Sequence, residues 1–204
     1  MTTVLLASAS VLGLLSFFEP CTIATHTLFA VRANLDTASN RRRALAQLVL
    51  SRALLLSLLF GCVAAIGLEQ LAQKTAMLML GMFGLVYLIT RKIYLPVPHL
   101  EFFRLLPKHD DLPQSYKLGL TLPACTLPLV AITGILSALT RQPGIAALAG
   151  LIFALMFTLP TLWESTHKFS AAHRDFLGHA ARLSPYITTL LLWSGALINL
   201  KSGI

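Results

Sequence analysis

Residues 16–23, Ser-Phe-Phe-Glu-Pro-Cys-Thr-Ile, lie inside a long apolar segment and place a proline directly before Cys21. Residues 122–128, Leu-Pro-Ala-Cys-Thr-Leu-Pro, place prolines around Cys125 in a second apolar segment. A proline removes a backbone donor and breaks a helix, and lipid cannot satisfy the backbone groups that the break frees. The sequence therefore predicts two helices broken at membrane depth, each presenting one thiol. We interpret the two thiols as a redox pair.

The composition is typical of an integral membrane protein. Hydrophobic residues make up 56% of the 204 residues and charged residues 12%, against roughly 25% charged residues in soluble domains. The length favours one domain, so we expect any chemistry to lie inside the helix bundle or at its faces. The basic residues are not interleaved with aromatic ones, and we therefore expect no nucleic-acid partner.

Six apolar segments are candidate membrane spans, at about Val4–Val31, Ala44–Leu68, Thr75–Ile93, Tyr116–Leu139, Gly144–Trp163 and Leu183–Leu200. Twelve of the sixteen lysines and arginines fall in loops one, three and five, which the positive-inside rule assigns to the cytoplasm. Both termini are then extracytoplasmic. Arg52 lies inside the second span, and we expect its side chain to extend towards the cytoplasmic headgroups.

The two halves of the chain, residues 1–95 and 112–204 approximately, share one plan. Each has a span with a proline and a cysteine, followed by two ordinary spans, and a repeat of three spans must be inserted upside down the second time. Inverted repeats place their working site near the bilayer midplane, on discontinuous helices. We therefore predict one integral membrane domain over residues 1–204, an all-α protein of six transmembrane helices in two inverted three-helix repeats.

Three residues near the first motif have alternative interpretations. Glu19 adjoins Cys21 and could relay protons, or it could cap the following half-helix or face a water-filled cleft. His26 lies five residues past Cys21, about 140° around a regular helix, so a direct Cys–His pair is not expected. It is either hydrogen-bonded within the bundle or tunes the redox pair. Cys62 has no neighbouring proline and is expected to pack as a small hydrophobic residue.

The motifs at residues 16–23 and 122–128 resemble the paired proline–cysteine motifs of the CcdA proteins and of the transmembrane domain of DsbD. The resemblance covers nearly the whole chain. It implies a thiol–disulfide electron transporter of the prokaryotic inner membrane, which passes electrons from cytoplasmic thioredoxin to extracytoplasmic thioredoxin-like proteins for cytochrome c biogenesis or disulfide reduction.

The resemblance also implies roles for particular residues. Cys21 and Cys125 would cycle between dithiol and disulfide, and we predict that their Cα atoms approach within about 7 Å. The supporting residues would be Pro20, Pro123, Glu19, Thr22, Thr126, Pro128 and His26. Members of the family commonly have further prolines soon after the first cysteine, whereas residues 22–26 here are Thr-Ile-Ala-Thr-His.

Two other functions stay open at this point. A small inverted-repeat transporter could move a metal ion or a small solute with the cysteines as ligands, and a structural or assembly subunit would leave the cysteines incidental. The histidines at positions 167, 173 and 179 are spaced by six and do not share one helical face as an i, i+4 metal pair does. We therefore expect no resident metal and no cofactor, and the sequence leaves open whether the protein is an enzyme.

Overall fold

The computed structural model of the protein is mostly helical. It describes residues 2–66, 100–107 and 111–166, and the single positions 81, 82, 85, 89, 179, 183, 186, 187, 189, 190 and 193. The predicted third and sixth spans, Thr75–Ile93 and Leu183–Leu200, lie largely outside the described residues, and the described positions within both are helical. Two of the three histidines in the fifth loop also lie outside them.

The first half contains three described helices. Helix α1 (Thr2–Phe17) is followed by helix α2 (Pro20–Leu35), and the part of α2 from Thr22 to Leu35 is inclined by 73° to α1. Pro20 occupies the first turn of α2, where an N–H group would have no partner within the helix and its loss costs little. Helix α3 (Ala38–Ile66) follows, and it confirms the predicted second span as a continuous helix.

The second half opens with an irregular segment. Strand β1 (Leu100–Glu101) pairs antiparallel with β2 (Thr121–Leu122), so that Leu100 lies opposite Leu122 and Glu101 opposite Thr121. Between the strands lie a 3₁₀ turn at Phe102–Leu105 and the short helix α4 (Gln114–Gly119), and a second 3₁₀ turn at Ala124–Thr126 follows β2. The predicted fourth span, Tyr116–Leu139, is thus a continuous helix only in its second part, as α5 (Leu127–Thr140). Helix α6 (Pro143–Thr166) confirms the predicted fifth span.

Helices α3 and α6 are each long and apolar enough to cross a membrane, and the bent pair of α1 and α2 is a third candidate span. Leu50, Leu54 and Leu58 are exposed along one side of α3. Residues spaced by four share one face of a helix, so these leucines form an apolar outer stripe that lipid would cover. The described helices therefore indicate a membrane protein.

Helix α6 packs against α1, α2, α3 and α5, and two of these contacts depend on glycine. A Cβ atom at Gly13 of α1 would lie 2.6 Å from the carbonyl oxygen of Phe153. A Cβ atom at Gly150 of α6 would lie 2.6 Å from the carbonyl carbon of Leu56 on α3. Glycine at both positions lets the backbones approach closely, as small residues do in membrane bundles.

Candidate functional site

Cys125 lies in the 3₁₀ turn between β2 and α5, is half-buried, and is disulfide-bonded. Of the other two cysteines, Cys62 is a free thiol and is exposed on α3, so it does not pack inside the described bundle. The hydroxyl oxygen of Thr22, the residue after Cys21, lies 3.9 Å from Sγ of Cys125. The start of α2 therefore lies against the turn that carries Cys125.

Two hydrogen bonds between Thr126 and Pro123 close the turn around Cys125. The carbonyl oxygen of Pro123 accepts hydrogen bonds from the N–H of Thr126 at 3.0 Å and from its hydroxyl at 2.8 Å. Pro123 and Thr126 are both buried. Pro128 lies in the first turn of α5, so that this helix begins two residues after Cys125. The predicted supporting residues of the second motif are thus all close to the cysteine in the chain and in space.

Glu19 occupies the N-cap position of α2 and is 3% exposed. Its carbonyl oxygen accepts a hydrogen bond from the N–H of Ile23 at 2.9 Å, and its side chain makes no capping bond. Glu19 therefore caps the half-helix through its backbone and not through its side chain, and the prediction that it faces a water-filled cleft is wrong. The proton-relay role stays a prediction.

His26 lies four residues after Thr22, on the same face of α2. Its Nδ1 atom is 2.5 Å from Oγ1 of Thr161, and its Nε2 atom is 3.1 Å from Nη2 of Arg52. Because arginine can only donate, Nε2 accepts and Nδ1 carries the proton that is donated to Thr161. His26 is therefore hydrogen-bonded within the bundle as a neutral imidazole, which is one of the two arrangements expected from the sequence. Tuning of the redox pair stays a prediction.

Arg52 is fully buried, with 0% of its surface exposed, so the prediction that it reaches the headgroups is wrong. Its Nη2 atom donates to the carbonyl oxygen of Leu118 at 3.1 Å, and its guanidinium carbon lies 4.2 Å from the centre of the Phe157 ring. The physical reason is its place on α3. Leu48 and Leu56, one turn away on either side, form the buried stripe of this helix, and Arg52 shares that stripe.

Phe157 and Gly119 keep this arginine in place. The His26 ring stacks on Phe157 with the ring centres 5.5 Å apart and the planes 22° from parallel. A Cβ atom at Gly119 of α4 would lie 2.9 Å from the carbonyl oxygen of Leu48 on α3. The absence of a side chain there lets α4 approach α3 and bring its carbonyl groups within reach of Arg52.

Further polar contacts join α2 to α6 beyond His26. The hydroxyl of Thr27 donates to Oε2 of Glu164 at 3.4 Å, and the side-chain amide of Asn34 donates to the backbone oxygen of Glu164 at 3.3 Å. Of these residues, only His26 was a candidate from the sequence. The signal that could have revealed the others is the placement of Thr161 and Glu164 three residues apart on a mostly apolar helix, where they share one face.

Replacing Thr161 with valine tests the role of its hydroxyl. The change keeps the shape of the side chain but leaves the buried Nδ1–H of His26 without an acceptor, which costs about 1–3 kcal/mol. We expect the free energy of unfolding in detergent to fall by that amount. Thr158→Val is the matched control, because Thr158 is equally buried on α6 and its hydroxyl donates to the backbone oxygen of Ala154 in the same helix. Equal losses in both variants would contradict the assignment.

A cavity of about 490 Å³ opens between the end of α2, the start of α3 and the start of α4. Its walls include the charged side chains of Arg32, Arg43 and Asp36. Nη1 of Arg32 donates to Oε1 of Gln114 at 3.0 Å and so joins α2 to α4 at the cavity wall. This end of the bundle carries the cations of the first loop.

No family model, curated protein or solved structure matches the chain. Among the described residues, no group of three or more His, Cys, Asp or Glu side chains is arranged to hold a metal ion. The features that bear on function are therefore the turn around Cys125 and the buried polar network of α2, α3 and α6.

Proposed function

We propose that the protein is a thiol–disulfide electron transporter of a prokaryotic inner membrane, with Cys21 and Cys125 as its redox pair. It accepts two electrons from cytoplasmic thioredoxin and delivers them to thioredoxin-like proteins outside, for cytochrome c biogenesis or disulfide reduction. The observation that carries this proposal is the state of the cysteines: Cys125 is disulfide-bonded, Cys62 is free, and the chain has three. Within one chain, Cys21 is the partner that we propose.

The contact between Thr22 and Cys125 supports this pairing. A distance of 3.9 Å from Oγ1 of Thr22 to Sγ of Cys125 brings the residue next to Cys21 into van der Waals range of the sulfur. The two positions are 103 residues apart in sequence, so the contact depends on the way the two halves pack. It supports the sequence-based prediction that the cysteines lie within disulfide reach.

The exchange itself proceeds by two thiolate attacks. A thiolate of reduced thioredoxin attacks one sulfur of the Cys21–Cys125 disulfide, the S–S bond breaks, and the other cysteine leaves as a thiolate. The second thiol of thioredoxin then attacks the mixed disulfide as a thiolate. This releases oxidised thioredoxin and leaves both cysteines of the chain reduced, with the two electrons and two protons transferred. The same steps in reverse reduce an oxidised partner on the outer side.

The starts of α2 and α5 suit this chemistry. Cys21 lies in the first turn of α2, and Cys125 lies just before α5, with a proline in the first turn of each helix. Free N–H groups and the positive end of the helix dipole stabilise an anionic sulfur at such positions. The matching placement also supports two inverted repeats whose broken helices meet near the midplane. In that arrangement, with both termini outside, the cavity beside Arg32 faces the cytoplasm.

Substitution of the cysteines tests the proposal. The purified protein in lipid nanodiscs is incubated with reduced thioredoxin, and the thiols are then alkylated and counted by mass spectrometry. We expect the parent protein and the control Cys62→Ser to oxidise thioredoxin, and Cys21→Ser and Cys125→Ser to lose the exchange completely. If the protein were instead a metal or solute transporter or a structural subunit, neither the parent nor any variant would exchange disulfides with thioredoxin. Exchange that persists in Cys125→Ser, or a parent protein whose peptides show no link between Cys21 and Cys125, would contradict the proposal.

A further inference from the structure

Arg52 holds a positive charge in the interior of a helix that is otherwise suited to cross a membrane. Its guanidinium interacts with a neutral imidazole, a carbonyl oxygen and an aromatic ring, and none of these described groups carries a compensating negative charge. Two of its nitrogen atoms, Nε and Nη1, are buried and have no hydrogen-bond partner among the described residues. A buried cation with unused donors is costly to maintain and marks a functional site by default.

The face of α2 connects this cation to the disulfide. Thr22 and His26 lie one helical turn apart on that face, and their Cβ atoms are therefore about 5–6 Å apart. Thr22 reaches Sγ of Cys125, and His26 reaches Nη2 of Arg52. These contacts place the guanidinium on the order of 10 Å from the sulfur, since one turn of α2 separates the two contacts. Water and salt do not screen a charge in the bundle interior as they do at a surface.

We propose that Arg52 is the fixed counter-charge for the thiolate that forms when the Cys21–Cys125 disulfide opens, and that His26 positions it. The inference rests on the proposed function. In the first exchange step the S–S bond breaks as the partner's thiolate bonds to one sulfur, and the electron pair of the broken bond stays on the other sulfur. The reductant is a protein dithiol of the thioredoxin class.

The buried cation lowers the energy of this anion during the exchange, and in the reduced pair it favours the thiolate form of that sulfur over the thiol. Arg52 acts on the sulfur electrostatically, without touching it. It is therefore a positioning residue that places a charge near the sulfur, and not a catalytic residue. Stabilising the reduced form of a dithiol makes its disulfide more oxidising. Arg52 should therefore raise both the reduction potential of the disulfide and the rate of its reduction.

The test measures the reduction potential of the disulfide in nanodiscs equilibrated with dithiothreitol buffers, together with its rate of reduction by dithiothreitol. A unit charge about 10 Å away at an effective dielectric constant near 20 changes an equilibrium by about tenfold. For Arg52→Gln we expect a potential that is more negative by about 30 mV and a rate that is about tenfold lower. Arg52→Lys keeps the charge and should restore most of both values. Arg42→Gln, which removes an exposed charge from the same helix, should match the parent.

Arg52→Met is a second neutral variant for use if Arg52→Gln does not fold, because an apolar side chain of similar length often replaces a buried charge without loss of stability. The inference is overturned if a folded neutral variant keeps the parent potential and rate, or if Arg52→Lys shifts them as far as the neutral variants do. Its failure is distinguishable from failure of the proposed function. If the parent protein exchanges with thioredoxin but Arg52→Gln keeps the parent potential and rate, only the role of Arg52 is rejected. If exchange persists without Cys21 or without Cys125, the proposed transporter function is rejected.

Discussion

Replacing Gly150 with alanine is expected to disrupt the packing of α3 against α6 and to lower the yield of folded protein sharply. The new methyl group would lie 2.6 Å from the carbonyl carbon of Leu56 and 2.7 Å from the backbone nitrogen of Ser57. Backbone atoms cannot move aside as the end of a flexible side chain can, so the two helices must separate. We expect a loss above about 3 kcal/mol in the free energy of unfolding, at the upper end of overpacking effects. Thermal unfolding monitored by size-exclusion chromatography measures it.

Gly134→Ala is the matched control for this change. Gly134 is also buried and lies within α5, but a Cβ atom there would have no neighbour within 4 Å. Alanine is favoured over glycine in a helix by up to about 1 kcal/mol, and both substitutions gain that amount. We therefore expect Gly134→Ala to be neutral or stabilising. Similar stabilities of the two variants would contradict the close approach of α3 and α6 at Gly150.

Replacing Phe157 with alanine is expected to have the second large effect. Phe157 is fully buried, stacks on His26, lies beneath the guanidinium of Arg52, and meets Phe153 edge to face at 6.3 Å. Removing a buried phenylalanine ring costs about 3–5 kcal/mol, through lost contacts and the cavity that remains. The change also removes the cation–π contact of a desolvated arginine. Unfolding of the purified variant in detergent, followed by circular dichroism, measures the loss.

Leu159→Ala provides the comparison for Phe157→Ala on the same helix. Leu159 is 52% exposed on the outer side of α6, where lipid would surround its side chain. Truncating a lipid-facing leucine leaves no cavity in the bundle, so we expect little loss of stability. If Leu159→Ala lost as much stability as Phe157→Ala, the inner and outer faces of α6 would be assigned wrongly.

The sequence alone predicted the features that depend on local chemistry. Long apolar runs predicted the helices now seen as α3 and α6, and α6 continues through Pro160 in its interior. Pro20 and Pro128 each lie in the first turn of a helix, where a residue that lacks an N–H group costs least. Each of these outcomes depends on the hydrophobicity and backbone chemistry of residues within a few turns of one another, and both are visible in the sequence.

The tertiary structure alone decided which side chains meet inside the bundle. His26 bonds to Thr161, which is 135 residues away, and Arg52 bonds to the carbonyl oxygen of Leu118, which is 66 residues away. Snorkelling is the expectation for a single arginine about two turns inside a span, because the side chain of an isolated helix can extend its cation towards water. In the folded bundle α3 must bury the stripe that contains Arg52, and helix rotation is set by packing against neighbouring helices. The site therefore depends on non-local contacts, which no local pattern in the chain specifies.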